Sequence, residues 1–187
     1  MWQVVSAIPL LQSDCELPPK AMRPTGEPHS GCPINATIEV VGDRWSLLVH
    51  VMFGNRRHFR ELQKRSEEGI ASNILADRLR RLVAGGLLTR EDVGRGRRAT
   101  YSLTEAAIEL VPVMAALGSW GLRHRPTTPT LRVRAELLAD GGPELWADFM
   151  DELRAEHLGA PSPPHDRPRA TERLAAADAE AVAAEVT

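Results

Sequence analysis

The run Ser72-Asn73-Ile74-Leu75-Ala76-Asp77-Arg78-Leu79-Arg80-Arg81-Leu82, followed closely by Gly85-Gly86-Leu87-Leu88, constrains the fold of this chain more than any other stretch. Leu75, Leu79 and Leu82 recur at i, i+4 and i+7, the spacing of a helix with one buried stripe. The glycine pair ends that helix. A short strand follows, then the turn Gly94-Arg95-Gly96-Arg97-Arg98, then a return strand on which Ala99, Tyr101 and Leu103 share one face. An amphipathic helix running into a basic hairpin is the sequence form of a winged helix-turn-helix. Such a unit places one helix in a DNA groove and a basic loop on the adjacent backbone. Nucleic acid is therefore the partner the pattern implies.

The flanking segments agree. Phe59 to Ser66 reads as a helix with Phe59 and Leu62 inward and Arg60, Lys64 and Arg65 outward. Glu67-Glu68-Gly69 then forms the turn into the Ser72–Ala84 helix, two helices joined by a short glycine-containing turn. Upstream, Pro33 to Val41 forms a helix opened by proline, where a missing N–H costs little, and ended by Gly42. Asp43 caps another, with Trp45, Leu48, Val49, Met52 and Phe53 on a core-facing stripe that Gly54-Asn55 ends. Thr104 caps a long helix reaching about His124, apolar nearly all round and locally kinked by Pro112. A helix of that kind must be covered on more than one side, and in a domain this small the second cover is another subunit. The expected fold is mainly α with a small β-hairpin.

Four segments are expected: a disordered arm over 1–31, the winged domain over 32–125, a helical extension over 126–159 and a solvated Pro/Ala-rich tail over 160–187 with at most a transient helix. Within the extension, Leu131–Ala139 and Pro143–Leu158 carry helical patterning, the second with Leu145, Phe149 and Leu153 on one face. The formal net charge of −2 conceals a segregation. Residues 43–125 hold 15 Lys and Arg against 9 Asp and Glu, a net of +6, and the remainder carries −8. Phosphate binding needs a local positive patch, which the centre supplies. No uninterrupted apolar run approaches the ~18–20 residues of a membrane span, and no basic residue precedes the Val4–Leu11 run as in a secretory signal. A cytoplasmic protein without membrane partners is expected. Two cysteines and scattered histidines offer no disulfide framework, zinc spacing or nucleophile–base pair, so neither metal nor cofactor nor enzyme activity is expected.

Projected at one hundred degrees per residue, the Ser72–Ala84 helix turns Asn73, Asp77 and Arg80 away from its leucine stripe, with Ser72 at its start and Arg81 on a flank. Asn pairs with adenine, Arg with guanine and Asp with cytosine in the major groove, so these five are the candidate base-reading residues. Arg95, Arg97 and Arg98, with no carboxylate among them, suit phosphate or minor-groove contact. Arg56, Arg57 and His58 suit backbone phosphates. An ordinary solvated helix face is the competing account of the first set, a soluble turn that of the second. Cys32, immediately before Pro33, stands at a helix N-cap, where the dipole and free N–H groups favour a thiolate. It is a candidate redox sensor, against the commoner fate of a free cysteine as a small buried apolar residue.

Cys32-Pro33, Gly42-Asp43-Arg44-Trp45 with Leu47-Leu48, Phe59-Arg60-Glu61-Leu62, Gly69-Ile70 and Asn73 through Leu82 form an ordered series. Gly86-Leu87-Leu88, Tyr101-Ser102-Leu103-Thr104 and Trp120-Gly121 complete it. In order and spacing this series resembles the HxlR-type winged helix-turn-helix transcription regulators of bacteria, over residues 32 to about 124. The resemblance implies a homodimer joined through the first helix and the long helix after the wing. It also implies double-stranded DNA as partner, an inverted-repeat operator and a repressor role. Several such regulators sense quinones, aldehydes or oxidants at the cysteine matching Cys32, which makes a small-molecule or oxidant effector an expectation. Ala71 stands where many relatives carry Ser or Thr, and the segment after Pro126 lies beyond the minimal pattern. The reading that competes with a DNA-binding regulator is a winged-helix module that binds protein instead. A thiol redox enzyme is a remoter one, since it needs a resolving partner.

Overall fold

The computed structural model describes residues 32–42, 57–64, 70–92, 98–162 and 168–186. Helix α1 spans Pro33–Val41, with Cys32 at its N-cap and Gly42 closing it through an N–H donated to the Ile38 carbonyl, 2.7 Å away. The expected helix carrying Trp45, Leu48, Val49, Met52 and Phe53 lies outside the described residues, as does the 1–31 arm. Helix α2 is Phe59–Lys64 and helix α3 is Ser72–Ala84, whose buried residues are the predicted Leu75, Leu79 and Leu82.

The glycine pair does the work expected of it. Gly85 and Leu87 donate N–H groups to the carbonyls of Arg81 and Leu82, while Gly86 takes φ +71°, a conformation in which a Cβ is strained. The chain then enters β1 (Leu88–Glu91), which pairs antiparallel with β2 (Thr100–Leu103), Leu88 opposite Leu103. A third short partner lies on the other edge of β2. His58 bridges Thr100, and the Tyr101 N–H donates to the Arg57 carbonyl at 2.8 Å.

Thr104 locks the foot of this hairpin. Its hydroxyl donates to the Gly86 carbonyl at 2.7 Å, its N–H donates to Leu87, and its oxygen accepts from the Ala107 N–H as the cap of helix α4 (Glu105–Ile108). The single helix expected over 104–124 is thus two: α4, then α5 (Val111–His124). Pro112 sits in the first turn of α5 and has no N–H to give the Ile108 carbonyl four residues back, so the hydrogen-bond ladder of α4 does not run on through it. The break replaces the predicted kink.

Helix α6 (Pro129–Leu158) is two rods, interrupted at Gly142 (φ +57°, ψ −158°) immediately before Pro143. The break falls between the two helices expected from sequence, and the Trp146 indole N–H ties them by donating to the Leu138 carbonyl at 2.7 Å. The first rod lies on α5 so closely that a Cβ on Gly118 would approach the Ala135 methyl to 3.1 Å. The second packs on α4 and β2, placing fully buried Phe149 and Leu153 in one hydrophobic cluster with Leu103, Ile108, Leu75 and Leu79.

Past Gly159 the structure departs from the expected solvated tail. Ala170–Val186 forms helix α7, packed along α6 with Ala170 and Leu174 buried. Its start is capped from outside: the Glu152 carboxylate accepts from the N–H groups of Ala170 and Thr171 and from the Thr171 hydroxyl. Arg134 and Asp178 form a second tie between the two helices.

Candidate nucleic-acid interface

Burying Leu75, Leu79 and Leu82 leaves the opposite side of α3 in solvent, and there the predicted readers gather. Ser72 and Asn73 are exposed in the first turn. Arg80 and Arg81 are exposed, and both pair with Asp77, at 3.3 Å and 2.9 Å. These are solvent-screened pairs on a helix surface, a few tenths of a kcal/mol each. They therefore hold the guanidinium groups in place at little cost to their release toward phosphate or guanine. The Asp77 carboxylate accepts from its own arginines, which competes with its expected pairing to cytosine. Helix α3 begins at Ala71 without a side-chain cap, so its leading N–H groups have no side-chain acceptor from that residue.

Ile74, which sequence reasoning passed over, is 40% exposed in that first turn beside Asn73. It takes no part in the buried stripe, and an aliphatic side chain there suits the one apolar feature of the major groove, the thymine methyl. The missed signal was its period: Ile74 and Val83 both fall outside the i, i+4, i+7 series, but Val83 packs against the core and Ile74 does not.

Of the wing arginines, Arg98 is described and is exposed two residues before β2, at the turn end of the hairpin, while Arg95 and Arg97 lie outside the described residues. Arg56 lies outside them too. Arg57 and His58 are half-buried and turned to the protein. The Arg57 guanidinium donates to the Tyr101 carbonyl at 3.4 Å and to the Ser102 hydroxyl, and His58 Nδ1 stands 3.2 Å from the Ala99 carbonyl. The structure thus gathers the α3 residues and Arg98 on open surface, and gives Arg57 and His58 contacts to β2 and to Ala99 just before it. Cys32 is exposed at the head of α1, away from this cluster in sequence.

Behind the hairpin, α6 reaches the same strand. The Leu103 N–H donates to His157 Nδ1 at 3.3 Å, and Arg154 joins Glu105 of α4 at 2.6 Å. Burial, reinforced by the nearby Arg57 charge, pushes the His157 pKa down to about 4. The ring is therefore neutral around pH 7, with Nδ1 able to accept. Neighbouring Glu156 is raised by burial, against the opposing pull of Arg57.

A leucine-striped helix with a polar, arginine-bearing outer face, capped by glycine and followed by a two-stranded hairpin, defines a winged helix-turn-helix DNA-binding protein. A family model of HxlR-like helix-turn-helix domains matches residues 40–129. The chain is 31% identical over 104 residues to YybR of Bacillus subtilis, an uncharacterized HTH-type transcriptional regulator, covering 54% of this chain and 82% of that one. It is 36% identical over 106 residues to Rv3095 of Mycobacterium tuberculosis, another such regulator, covering 54% of this chain and 65% of the relative. The chain belongs to the HxlR-like family of helix-turn-helix transcriptional regulators. Among solved structures it is similar to PA1607, a putative transcription factor (35% identity, 53% of this chain and 69% of that one, TM-score 0.48). It is also similar to the redox regulator HypR in its oxidized form (28% identity, 51% and 100%, TM-score 0.44).

Proposed function

We propose that the protein is a homodimeric, sequence-specific repressor that binds an inverted-repeat operator. The observation carrying this reading is the outer face of α3, where Ser72, Asn73, Arg80 and Arg81 stand in solvent on the same helix whose inner face anchors the core. Asn73 and Arg80 read base edges, and Arg81, Arg98, Arg95 and Arg97 meet phosphates or the minor groove. A protein that acts on DNA in this way works in the cytoplasm.

Dimerisation is supported by apolar surface that the chain leaves uncovered. Val113, Leu117 and Trp120 lie one helical turn apart on α5 and are exposed, Leu117 to 57%. Ile34 and Ile38 form a similar exposed pair on α1. The segment Glu105–His124 is long and apolar enough by composition to cross a membrane, with 22% of it buried. In an HTH regulator the cover for such a face is a second copy, and the two-fold pairing sets the recognition helices about one DNA turn, ~34 Å, apart.

Cys32 is the proposed effector site. Its exposure at the α1 N-cap, next to the exposed Ile34, supports oxidant or electrophile sensing at the edge of the dimer contact.

The test is selection of genomic fragments by the purified full chain at physiological salt under reducing conditions. A recovered palindromic motif supports the reading. Recovery of no motif by a folded dimer would overturn operator binding by the reduced, effector-free chain and favour the protein-binding module. Cys32→Ser should bind the recovered operator normally and keep it under oxidant or quinone; release equal to that of the parent removes the sensing role.

A further inference from the structure

We propose that His157, on the helical extension beyond the family match, is a positioning residue that sets the pose of the wing on DNA. The inference rests on the DNA-binding reading above. The tip of a two-stranded ribbon follows whatever orients the strands behind it, above all at their foot. Three elements meet there. Thr104 fastens β2 to Gly86 and Leu87 at the end of the recognition helix. Arg57 grips the outer side of β2 at Tyr101 and Ser102. The third hold comes from α6, where His157 accepts the Leu103 N–H and Arg154 takes Glu105, one residue past Thr104.

The His157 contact has the marks of a specific fastening. His157 is buried, and its Nε2 has no hydrogen-bond partner among the described residues, so the ring's one such bond is the bond to Leu103. With Nδ1 accepting, the network assigns the proton to Nε2, a donor buried without an acceptor. A ring kept at that cost holds a strand N–H that would otherwise be an unsatisfied buried donor. Phe149 and Leu153, two turns and one turn earlier on the same rod, seat α6 against the hairpin side of the core. The foot of the wing is therefore oriented by a rod that begins at Pro143, outside the matched domain.

The test compares His157→Leu with His157→Gln in the full chain, on an operator fragment recovered by selection, over a range of salt. Gln can present an oxygen to the Leu103 N–H; Leu cannot. Circular dichroism and melting establish that each variant is folded. His157→Leu should lose roughly five- to tenfold in affinity, with a salt slope shallower by about one as a wing contact disengages. Arg98→Ala should then add little further loss in that background. His157→Gln should restore both affinity and slope. Parent-like affinity and slope in a folded His157→Leu variant, with Arg98→Ala fully additive, would overturn the proposal. If His157→Leu fails to fold, Arg154→Glu and the swap Arg154→Glu/Glu105→Arg replace it. Loss in the single variant with recovery in the swap supports a wing set from α6, and parent-like binding in the single variant overturns it. A parent chain that binds no DNA at all removes the regulator reading and this one together.

Discussion

The Leu103 backbone N–H donates to His157 Nδ1 across 3.3 Å and 54 residues of sequence. That bond makes the hairpin's stability depend on a group that titrates. In the unfolded chain His157 has its ordinary pKa near 6.5, and in the fold burial holds it at about 4. Below about pH 6.5 the unfolded state therefore binds more protons, so stability falls as the pH drops from about 6.5 to about 4. The loss is at most about 3 kcal/mol. Glu156, raised by burial, contributes in the opposite sense: its share is present at acid pH and is lost as pH rises through its shifted pKa. Denaturant titrations at pH 4, 5, 6 and 7 should show the acid limb in the parent and a flatter one in His157→Gln. Parallel limbs would show that His157 is not its source.

On the proposed reading, base reading on α3 and backbone holding at the wing are separable. Asn73→Ala should relax sequence preference at one position of each half-site, at a cost of about 1–3 kcal/mol on the best sequence. Arg98→Ala should weaken all sequences alike and reduce the salt slope by about one. Competition binding of matched and mismatched fragments distinguishes them. A uniform loss from Asn73→Ala would take it out of base readout.

Ile74 offers a test at the level of one methyl group. If its exposed side chain meets a thymine, replacing that thymine by uracil should weaken the parent and leave Ile74→Ala indifferent, with a difference of about 1 kcal/mol or less. A scan of uracil substitutions along the operator reads this directly. Equal responses of parent and variant at every position would exclude the contact.

The exposed Val113–Leu117–Trp120 face should govern assembly. Leu117→Glu places a charge at its centre and should convert the protein to monomer in sedimentation equilibrium, with operator affinity falling as the two half-sites are read independently. Persistence of the dimer would move the interface elsewhere on the surface.

The local part of this fold was legible in the sequence. Pro33, Gly42, Gly86 and Thr104 each mark a boundary through their own backbone chemistry, and α1 and α3 end where those residues say. Three features were not legible, each for a physical reason. Pro112 was expected to kink a continuous helix, but in a first turn it begins a new one. Residues 170–186 lack a strong apolar stripe, and their order depends on a cap from Glu152 and a tie from Arg134, partners that no local pattern reveals. Arg57 and His58 look like phosphate ligands by charge alone, yet their position beside β2 gives them backbone carbonyls nearer at hand. The outer face of α3 followed from helical period, and Ile74 was overlooked because period was used only to find the core.

The family model's match stops at residue 129, whereas Phe149 and Leu153 help close the core that holds Leu103 and Ile108. The family signature and the folded core thus draw their borders in different places. A chain cut back to the matched stretch would leave the greasy back of the hairpin bare, so the rods behind it guard solubility as well as shape.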